Sequence, residues 1–304
     1  MKDGGPFVKV AGVKEFCDAV VPRKPYSDKR DNGRVLIIGG SGTYHGAPVL
    51  ASSSAYATIA ALRAGAGYAV TCVPEGIAGA VRTLSPNVIV KGLSGRFISG
   101  SDYRQLEREM HRADSVVIGP GIGSRNETTE VVLRLAKLCC RMKVPLVLDA
   151  EAIGAVKGLG LKCRGNIVIT PHDREFRRLS GTEPPLMDVT ERARLAKEAA
   201  AGLGICVLLK GHRTIVTDGD RCFVTRPRSA ALATMGTGDV LSGIIGGLAA
   251  RNKDVFASAV AGAFVHARVG DALYGKLGNH AIAVDALRQL SAEMARLDGR
   301  CGKT

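Results

Sequence analysis

Short apolar segments alternate along this chain with longer segments of helical periodicity. The apolar segments predict buried strands at residues 35–38, 68–73, 88–90, 115–118, 146–148, 167–169 and 206–209. Continuous apolar strands interleaved with helices are typical of a mostly parallel sheet whose two faces are both covered. The pattern therefore predicts an α/β fold.

The pattern changes after residue 210. Two β-prone segments, 214–217 and 221–225, flank the turn signal Asp218-Gly219 and predict an antiparallel hairpin at one side of the sheet. The last third predicts helices near 254–270 and 284–297, preceded by one whose apolar face comprises Val240, Leu241, Ile244, Ile245 and Leu248.

Two further helices carry start signals. Ser124 and Glu127 have capping-box spacing before a helix that begins near residue 126. Asp188 and Glu191 suit the first turn of a helix over residues 190–201, where the helix dipole favours carboxylates.

The organisation of the chain indicates one domain. We find no internal repeat, low-complexity segment or interdomain linker among the 304 residues. We therefore expect a single domain over residues 35–304, preceded by a short N-terminal extension over residues 1–34.

Composition and charge narrow the class of protein. Apolar residues make up 46% of the chain and aromatic residues only 4%, which indicates a folded chain with an aliphatic core. The net charge of +14 favours anionic partners, but the positive side chains are scattered without interleaved aromatics. We therefore favour a generally basic surface over nucleic-acid binding, and we expect no nucleic-acid partner.

The cysteines and the lengths of the apolar segments indicate in which cellular compartment the protein works. No CxxC pair occurs among the eight cysteines, which argues against a zinc site, and Cys72 and Cys206 lie in apolar segments as small buried hydrophobes. No signal-peptide core is visible, and no apolar segment reaches the ~18 residues that a membrane helix needs. We expect a cytoplasmic protein in a reducing compartment, without a membrane partner.

The unusual residues cluster at the predicted carboxyl ends of strands, which is where open α/β sheets bind ligands. They are the loops that follow Gly39 and Gly119, together with Asp149, His172, Lys210 and the segment around Gly236. This clustering predicts one ligand site at that edge of the sheet.

The segment Ala233-Thr-Met-Gly-Thr-Gly-Asp239 leads into a predicted helix. Glycines at a helix N-terminus allow successive backbone N–H groups to face an anion. A carboxylate beside a bound phosphate is a suitable base for a hydroxyl that is about to be phosphorylated. A plain helix-capping role for Asp239 is an equal alternative at this point.

Other loops carry weaker signals. The loop over residues 39–48 lacks the third Rossmann glycine, since His45 stands there, and lacks a Walker lysine. Its glycines suit a ligand loop of unspecified kind. The segment Lys210-Gly-His-Arg-Thr214 suits an anionic ligand or a solvated basic turn. We favour ligand contact for His172 and a satisfied helix position for His266.

Taken together, these motifs resemble the NAD(P)H-hydrate dehydratase family, whose members have the ribokinase-like three-layer α/β/α fold. The resemblance covers about residues 35–290. It is carried by Gly39-Gly-Ser41, Tyr44, Gly46-Ala-Pro48, Leu62-Arg-Ala-Gly-Ala-Gly67, Gly119-Pro-Gly-Ile-Gly123, Asp149-Ala, Thr170-Pro-His172, Lys210-Gly211 and Gly236-Thr-Gly-Asp-Val-Leu241. The Gly-Thr-Gly-Asp segment indicates the superfamily, and the Gly-Ala-Pro loop with the Thr-Pro-His turn narrows it to the dehydratase.

The resemblance implies nucleotide-dependent repair of nicotinamide cofactors that have added water, NADHX and NADPHX. It implies Asp239 as the catalytic base, which takes the proton of the ring hydroxyl as this attacks the terminal phosphoryl group. The implied substrate-binding residues are Ala47, Gly121, Gly123, His172 and Asp239. The implied nucleotide-binding residues are Lys210, Gly211, His212, Arg213, Thr214, Gly236, Thr237 and Gly238.

It further implies ADP as the phosphoryl donor in preference to ATP, Mg²⁺ held on the phosphates partly through water, and a homotetramer. The chain departs from the usual family sequence at Met235, Glu151 and Asp173-Arg174. Many relatives carry a fused epimerase domain. The extension over residues 1–34 is too short to contain one, so we expect none.

Two alternatives remain at this stage. One is a small-molecule kinase of the vitamin or thiazole type on the same fold, which releases a stable phosphorylated product. The other is a non-catalytic adenylate-binding module.

Overall fold

The computed structural model describes residues 8–42, 47–160 and 165–301, with the backbone alone for residues 47–51. Within these ranges the centre of the molecule is a ten-stranded sheet in the order β1-β10-β9-β8-β7-β6-β5-β2-β3-β4. Its strands are β1 (Lys9–Val10), β2 (Arg34–Ile38), β3 (Tyr68–Pro74), β4 (Ile89–Leu93), β5 (Ser115–Ile118), β6 (Leu146–Leu148), β7 (Ile167–Ile169), β8 (Cys206–Leu209), β9 (Ile215–Thr217) and β10 (Cys222–Val224).

The sheet is parallel except at β9, which runs antiparallel to both β8 and β10. The neighbouring strands β2 and β5 are both central, and the chain proceeds from them in opposite directions across the sheet. A reversal of this kind opens a crevice outside the carboxyl ends of the two strands. The topology therefore places a ligand crevice beyond β2 and β5.

Helices cover both faces of the sheet. They are α1 (Val13–Ala19), α2 (Ala47–Arg63), α3 (Glu75–Leu84), α4 (Tyr103–Met110), α5 (Asn126–Met142), α6 (Asp173–Ser180), α7 (Val189–Leu203), α8 (Thr237–Asn252), α9 (Val255–Leu277) and α10 (Ala283–Asp298), with 3₁₀ turns at Gly100–Asp102 and Ala150–Gly158.

Alternate residues of each central strand face opposite helical layers. On β2, Leu36 and Ile38 pack in the core with α4, α5, α6 and α7. Val35 and Ile37 pack on the other face with α2, α8 and α9. Because both faces are buried, the strand is apolar throughout, and this is why continuous apolar segments predicted the strands. The predicted α/β/α architecture with an antiparallel hairpin is confirmed.

The N-terminal extension forms two elements that the sequence pattern did not predict. The strand β1 pairs with β10 in parallel, so that the hairpin is not the outermost part of the sheet. Phe16 of α1 is fully buried in a core that it shares with α9 and α10. The described part of the extension is therefore packed on the body of the domain.

Both predicted helix starts are confirmed, but the capping box predicted for α5 is wrong. The N-cap of α5 is Arg125, and it makes no side-chain cap hydrogen bond. Glu127 instead accepts a hydrogen bond from Gly100 N at 3.3 Å, so its carboxylate binds the 3₁₀ turn Gly100–Asp102 and not the start of α5. At α7 the prediction is confirmed, because Asp188 Oδ1 accepts from Glu191 N at 3.0 Å.

A disulfide joins Cys17 in α1 to Cys301 just beyond α10, with a Cα–Cα distance of 5.3 Å. Cys140 is also disulfide-bonded. No sequence signal indicated these bonds, and they stand against the expected reducing compartment, where disulfides are rare outside some thermophiles. Cys72 and Cys206 are free and buried, as predicted.

In the described ranges, no helix combines the length and the apolarity that crossing a bilayer requires.

The Cys17–Cys301 bond closes a ring that spans 284 positions of the chain. Cys17→Ser should lower the free energy of unfolding by about 2–5 kcal/mol, because the unfolded chain regains the entropy that the ring removes. Denaturant unfolding measures this loss. Cys301→Ser and the double variant should show the same loss, since each removes the same bond. A double variant whose loss is the sum of the two single losses would contradict the prediction.

Candidate active site

Three loops meet above the carboxyl ends of β2, β5 and β6. Gly40 N donates to Pro120 O at 2.8 Å. A Cβ atom at Gly39 would lie 2.2 Å from Pro120 O, and one at Gly119, where φ is +137°, would lie 1.9 Å from Asp149 O. Only glycine fits at such distances. The glycines of the two predicted ligand loops therefore allow three chain segments to touch beyond β2 and β5, where the direction of the chain across the sheet reverses.

The floor of this crevice is backbone. Gly121 and Gly123 have φ of 67° and 80°, the left-handed region that favours glycine. A Cβ atom at Gly123 would lie 3.3 Å from Ser41 Oγ, so the loops after β2 and β5 remain in contact here. Ala47 is the first residue of α2, and its side chain lies outside the described part of the structure, as do residues 43–46.

Helix α8 begins at the same edge of the sheet. Its N-cap, Gly236, has φ of 89°. A Cβ atom there would lie 3.1 Å from the ring of Tyr56. Thr237 is buried, and its Oγ1 donates to Leu232 O at 2.8 Å, which fixes the first turn. The first N–H groups of an α-helix have no intrahelical acceptor, so residues 236–238 are suited to an anion, and we call them the anion-binding turn.

Asp239 lies in the first turn of α8 and is half-buried. The N-cap is Gly236, and no side chain caps the helix, which removes the plain capping role as an alternative. Burial, together with the charge of nearby Asp149, raises the pKa of Asp239 to about 7, although a hydrogen bond with Ser53 and the charge of Lys210 act in the opposite direction. A carboxylate with this pKa both accepts and releases a proton near neutrality.

A partly buried ion pair lies beside Asp239. Lys210 Nζ donates to Asp149 Oδ1 at 3.0 Å and lies 3.9 Å from Glu175 Oε2. Asp149 is 2% exposed, and it also accepts from Thr170 Oγ1 at 2.7 Å. Burial alone would lower the pKa of Lys210, but Asp149 and Glu175 outweigh it and raise the pKa. A Cβ atom at Gly238 would lie 3.5 Å from Lys210 Nζ, so the ammonium faces the anion-binding turn.

His172 is the N-cap of α6. Its Nδ1 accepts from Arg174 N at 3.1 Å and from Glu175 N at 3.4 Å. In the neutral ring the proton is therefore on Nε2, which can donate to a ligand or to Glu175. The turn over residues 170–172 is hydrogen-bonded to the end of β8, because Lys210 N donates to Pro171 O at 2.8 Å. His172 and Lys210 thus lie on the same side of the sheet.

A cavity of about 380 Å³ extends from the anion-binding turn between β8, the hairpin and α9. Its lining includes six of the residues predicted to bind nucleotide: Lys210, Gly211, His212, Thr214, Thr237 and Gly238. Arg213 and Gly236 lie in the same segments but not in the cavity wall. The remaining wall is mostly apolar, which suits a flat heterocycle beside a phosphate site.

His266 has a role that the sequence pattern did not indicate. Its Nε2 lies 3.0 Å from Thr237 O, as expected for a satisfied helix histidine. Burial lowers the pKa of His266 to about 4, so the ring is neutral and donates to that carbonyl. The residue also lines the cavity together with Ala263, Ala267 and Gly270, small residues that leave room beside α9.

The structure also adds residues to the candidate site. Glu175, Ser53 and the buried Arg192 contact site residues, yet none lay in a motif of its own. Arg192 Nη2 donates to Lys210 O at 2.8 Å. An arginine on an amphipathic helix is usually solvated, so only the packing of α7 reveals this contact.

Metal ligands are sparse around the site. Among the residues described, no three His, Cys, Asp or Glu side chains are placed to hold one ion. The central carboxylate, Asp149, is already paired with Lys210. The side chains therefore suit a cation carried on the phosphates of a nucleotide, which keeps most of its water, rather than a protein cage.

Solved structures define the class of fold. A ribokinase-like superfamily protein from Enterococcus faecalis matches with a TM-score of 0.80 and 25% identity, covering 98% of this chain and 99% of that one. The Bacillus subtilis ADP/ATP-dependent NAD(P)H-hydrate dehydratase, co-crystallised with ATP/Mg²⁺, matches with a TM-score of 0.76 and 21% identity, covering 98% and 100%. The fold and its site define this chain as a ribokinase-like protein.

Sequence comparison defines the family. A family model described as NAD(P)H-hydrate dehydratase matches residues 35–292. The ADP-dependent (S)-NAD(P)H-hydrate dehydratase of Nitrosopumilus maritimus is 37% identical over 287 residues, which cover 94% of this chain and 96% of that protein. The chain belongs to the NAD(P)H-hydrate dehydratase family, as its motifs predicted.

A second kind of relative is longer. The bifunctional NAD(P)H-hydrate repair enzyme Nnr of Pyrobaculum aerophilum is also 37% identical over 287 residues. The match covers 94% of this chain but 55% of that protein. The chain thus spans about half the length of this bifunctional relative.

The raised pKa of Asp239 predicts a pH-dependent effect on stability. The folded protein holds this proton up to about pH 7, whereas the unfolded chain releases it near its ordinary pKa of 3.8. Wild type therefore loses stability as the pH rises from about 4 to about 7, and Asp239→Asn does not. The Tm of the variant minus that of wild type should increase across this window and then level off.

Thermal unfolding over this pH range measures the difference. Asp220→Asn, at an exposed position on the hairpin turn, provides the baseline. A difference for Asp239→Asn that stays constant with pH would show that Asp239 does not titrate in a buried environment.

Proposed function

We propose that this protein catalyses the nucleotide-dependent dehydration of the S form of NAD(P)H hydrate and so restores NAD(P)H. The observation that carries the proposal is the position of Asp239, whose pKa is about 7, at the start of α8 and beside the partly buried Lys210–Asp149 pair. Family membership supports the same activity, since relatives named as ADP-dependent dehydratases match most of the chain.

The nucleotide base and ribose occupy the cavity behind the anion-binding turn in this proposal. Its apolar wall suits the adenine ring, and the polar segment from Lys210 to Thr214 lies where the phosphates begin. The N–H groups of residues 236–238 and the Lys210 ammonium then face the terminal phosphoryl group. Both stabilise the negative charge that develops there during transfer.

The hydrate ring lies on the other side of Asp239, against Gly121, Gly123, Ala47 and His172. As the ring hydroxyl attacks the terminal phosphorus, the Asp239 carboxylate accepts its proton. A bond forms between the hydroxyl oxygen and phosphorus, and the bond from phosphorus to the bridging oxygen breaks. The nucleotide leaves shorter by one phosphoryl group, as AMP from ADP or as ADP from ATP.

The second step removes the new phosphate. The lone pair on the ring nitrogen expels it, because phosphate is a far better leaving group than hydroxide. A proton then leaves the adjacent ring carbon, and the ring double bond is restored. The backbone floor at Gly121 and Gly123 suits a flat dihydropyridine ring, which approaches more closely than a Cβ atom would allow.

Mg²⁺ fits this site as a cation bound to the nucleotide. When bound, it neutralises phosphate charge and helps to align the transferred group. The protein side chains that face the phosphates are then Lys210 and Asp149. The co-crystallisation of the Bacillus subtilis relative with ATP/Mg²⁺ supports this assignment.

We further propose a homotetramer that works in the cytoplasm. A largely apolar groove of about 520 Å³ between α2, α3 and α10 is a face that association would cover. A cytoplasmic location requires the Cys17–Cys301 disulfide to persist against cellular reductants, as intracellular disulfides do in hyperthermophilic organisms.

The direct test follows the return of reduced-nicotinamide absorbance from chemically prepared NADHX, with Mg²⁺ and either ADP or ATP. Wild type should restore NADH only when nucleotide is present, and faster with ADP. Asp239→Asn should lower the rate by roughly 10²–10⁴-fold, as expected for loss of a general base. The matched control, Asp220→Asn, should have the wild-type rate.

Other outcomes distinguish the alternatives. Nucleotide consumption without restored NADH, together with a stable phosphorylated product, would support the small-molecule kinase and contradict the dehydratase. Adenylate binding that neither consumes nucleotide nor depends on Asp239 would support the non-catalytic module.

A further inference from the structure

One buried cation at the candidate site has no role in the proposed reaction steps. Arg192 of α7 is 2% exposed, although arginine is rarely found inside proteins without a partner. Its Nη1 donates to Pro185 O at 3.3 Å, and its Nη2 donates to Lys210 O at 2.8 Å. Nη2 also lies 2.8 Å from Asp173 Oδ1. The guanidinium thus contacts three separate segments of the chain.

The contact with Lys210 O acts on the nucleotide side of the site. Arg192 fills the space beneath Gly211, where a Cβ atom would lie 2.7 Å from its Nη2. The backbone of residues 210–211 therefore lies directly against the guanidinium. Lys210 extends from this turn to Asp149, and Gly211 lines the cavity. A shift of the guanidinium would move both.

The contact with Asp173 acts on the hydrate side of the site. Asp173 is the first residue of α6 and follows directly after His172, the N-cap. Glu175, in the same turn, accepts from His172 N at 2.8 Å and lies 3.9 Å from Lys210 Nζ. Arg192 therefore holds the turn that carries His172 at a fixed distance from the turn that carries Lys210.

This geometry suits arginine better than lysine. The planar fork reaches Pro185 O through Nη1 while Nη2 contacts Lys210 O and Asp173, whereas lysine offers a single point of charge. We propose that Arg192, paired with Asp173, is a positioning residue that sets the nucleotide-binding turn relative to the hydrate-binding turn. The proposal rests on the proposed nucleotide site, and it assigns Arg192 no direct contact with either ligand.

The test compares Arg192→Lys with Arg194→Lys on the same helix. Arg194 is half-exposed and pairs with Glu191 and Glu198 at the surface, so it is a matched control. Calorimetric titration with ADP, and separately with ATP, measures Kd. Arg192→Lys should raise Kd and nucleotide KM about tenfold, the range for losing a hydrogen bond to a charged group, and leave kcat within about twofold. Arg194→Lys should match wild type.

Asp173→Asn adds a second readout. It keeps the size of the side chain but removes the charge that fixes the guanidinium, so the KM values for nucleotide and for hydrate should both rise, with kcat nearly constant. A lowered Tm together with a wild-type Kd and wild-type KM in Arg192→Lys would make the arginine merely structural and overturn the proposal.

The binding measurement separates this inference from the proposed function. If wild type binds ADP or ATP but restores no NADH, the dehydratase proposal fails, and the ratio of Kd values still decides the role of Arg192. If wild type binds neither nucleotide, both proposals are wrong.

Discussion

The partly buried ion pair of Asp149 and Lys210 is the interaction on which the rest of the site depends. Neither charge is stable in the interior alone, so each requires the other at hydrogen-bond distance. The ion pair joins the end of β6 to the end of β8. Thr170, which follows the intervening strand β7, donates a hydrogen bond to the same carboxylate. The pair also places a cation against Gly238 at the start of α8. One contact therefore fixes both the shape and the charge of the crevice.

Burial is the main cause of the raised pKa of Asp239, and the two members of the pair act on it in opposite directions. A hydrogen bond with Ser53 and the charge of Lys210 favour the carboxylate, whereas burial and the Asp149 charge oppose it, and the opposing effects dominate. A strongly acidic aspartate would remain ionised but would be a weak base, and a fully protonated one could accept nothing. A pKa of about 7 lies between these limits. The second carboxylate beside the phosphate site thus adjusts the base and is not available as an independent metal ligand.

Local features of the sequence predicted most of this fold, because its strands are short and buried on both faces. The motifs at strand ends predicted Asp239, His172 and Lys210, since the topology brings those ends together. Contacts between distant segments gave no signal. Three features depend on tertiary packing and leave no local pattern in the sequence. They are the Cys17–Cys301 bond, the burial of Phe16 among the C-terminal helices and the Arg192–Asp173 pair. Glu127 shows the converse: its spacing from Ser124 predicted a capping box, but the N-cap is Arg125, and the carboxylate accepts from Gly100 N instead.

The central claim is that the ring hydroxyl leaves as phosphate after transfer of a phosphoryl group to it. The measurement that tests this most directly uses NADHX whose ring hydroxyl carries heavy oxygen, with unlabelled nucleotide and water. Mass spectrometry then follows the label after turnover. Our account predicts the label in inorganic phosphate, with one labelled phosphate for each NADH restored. Label found in water instead, with unlabelled phosphate, would mean that the hydroxyl leaves directly and that nucleotide hydrolysis is a separate event.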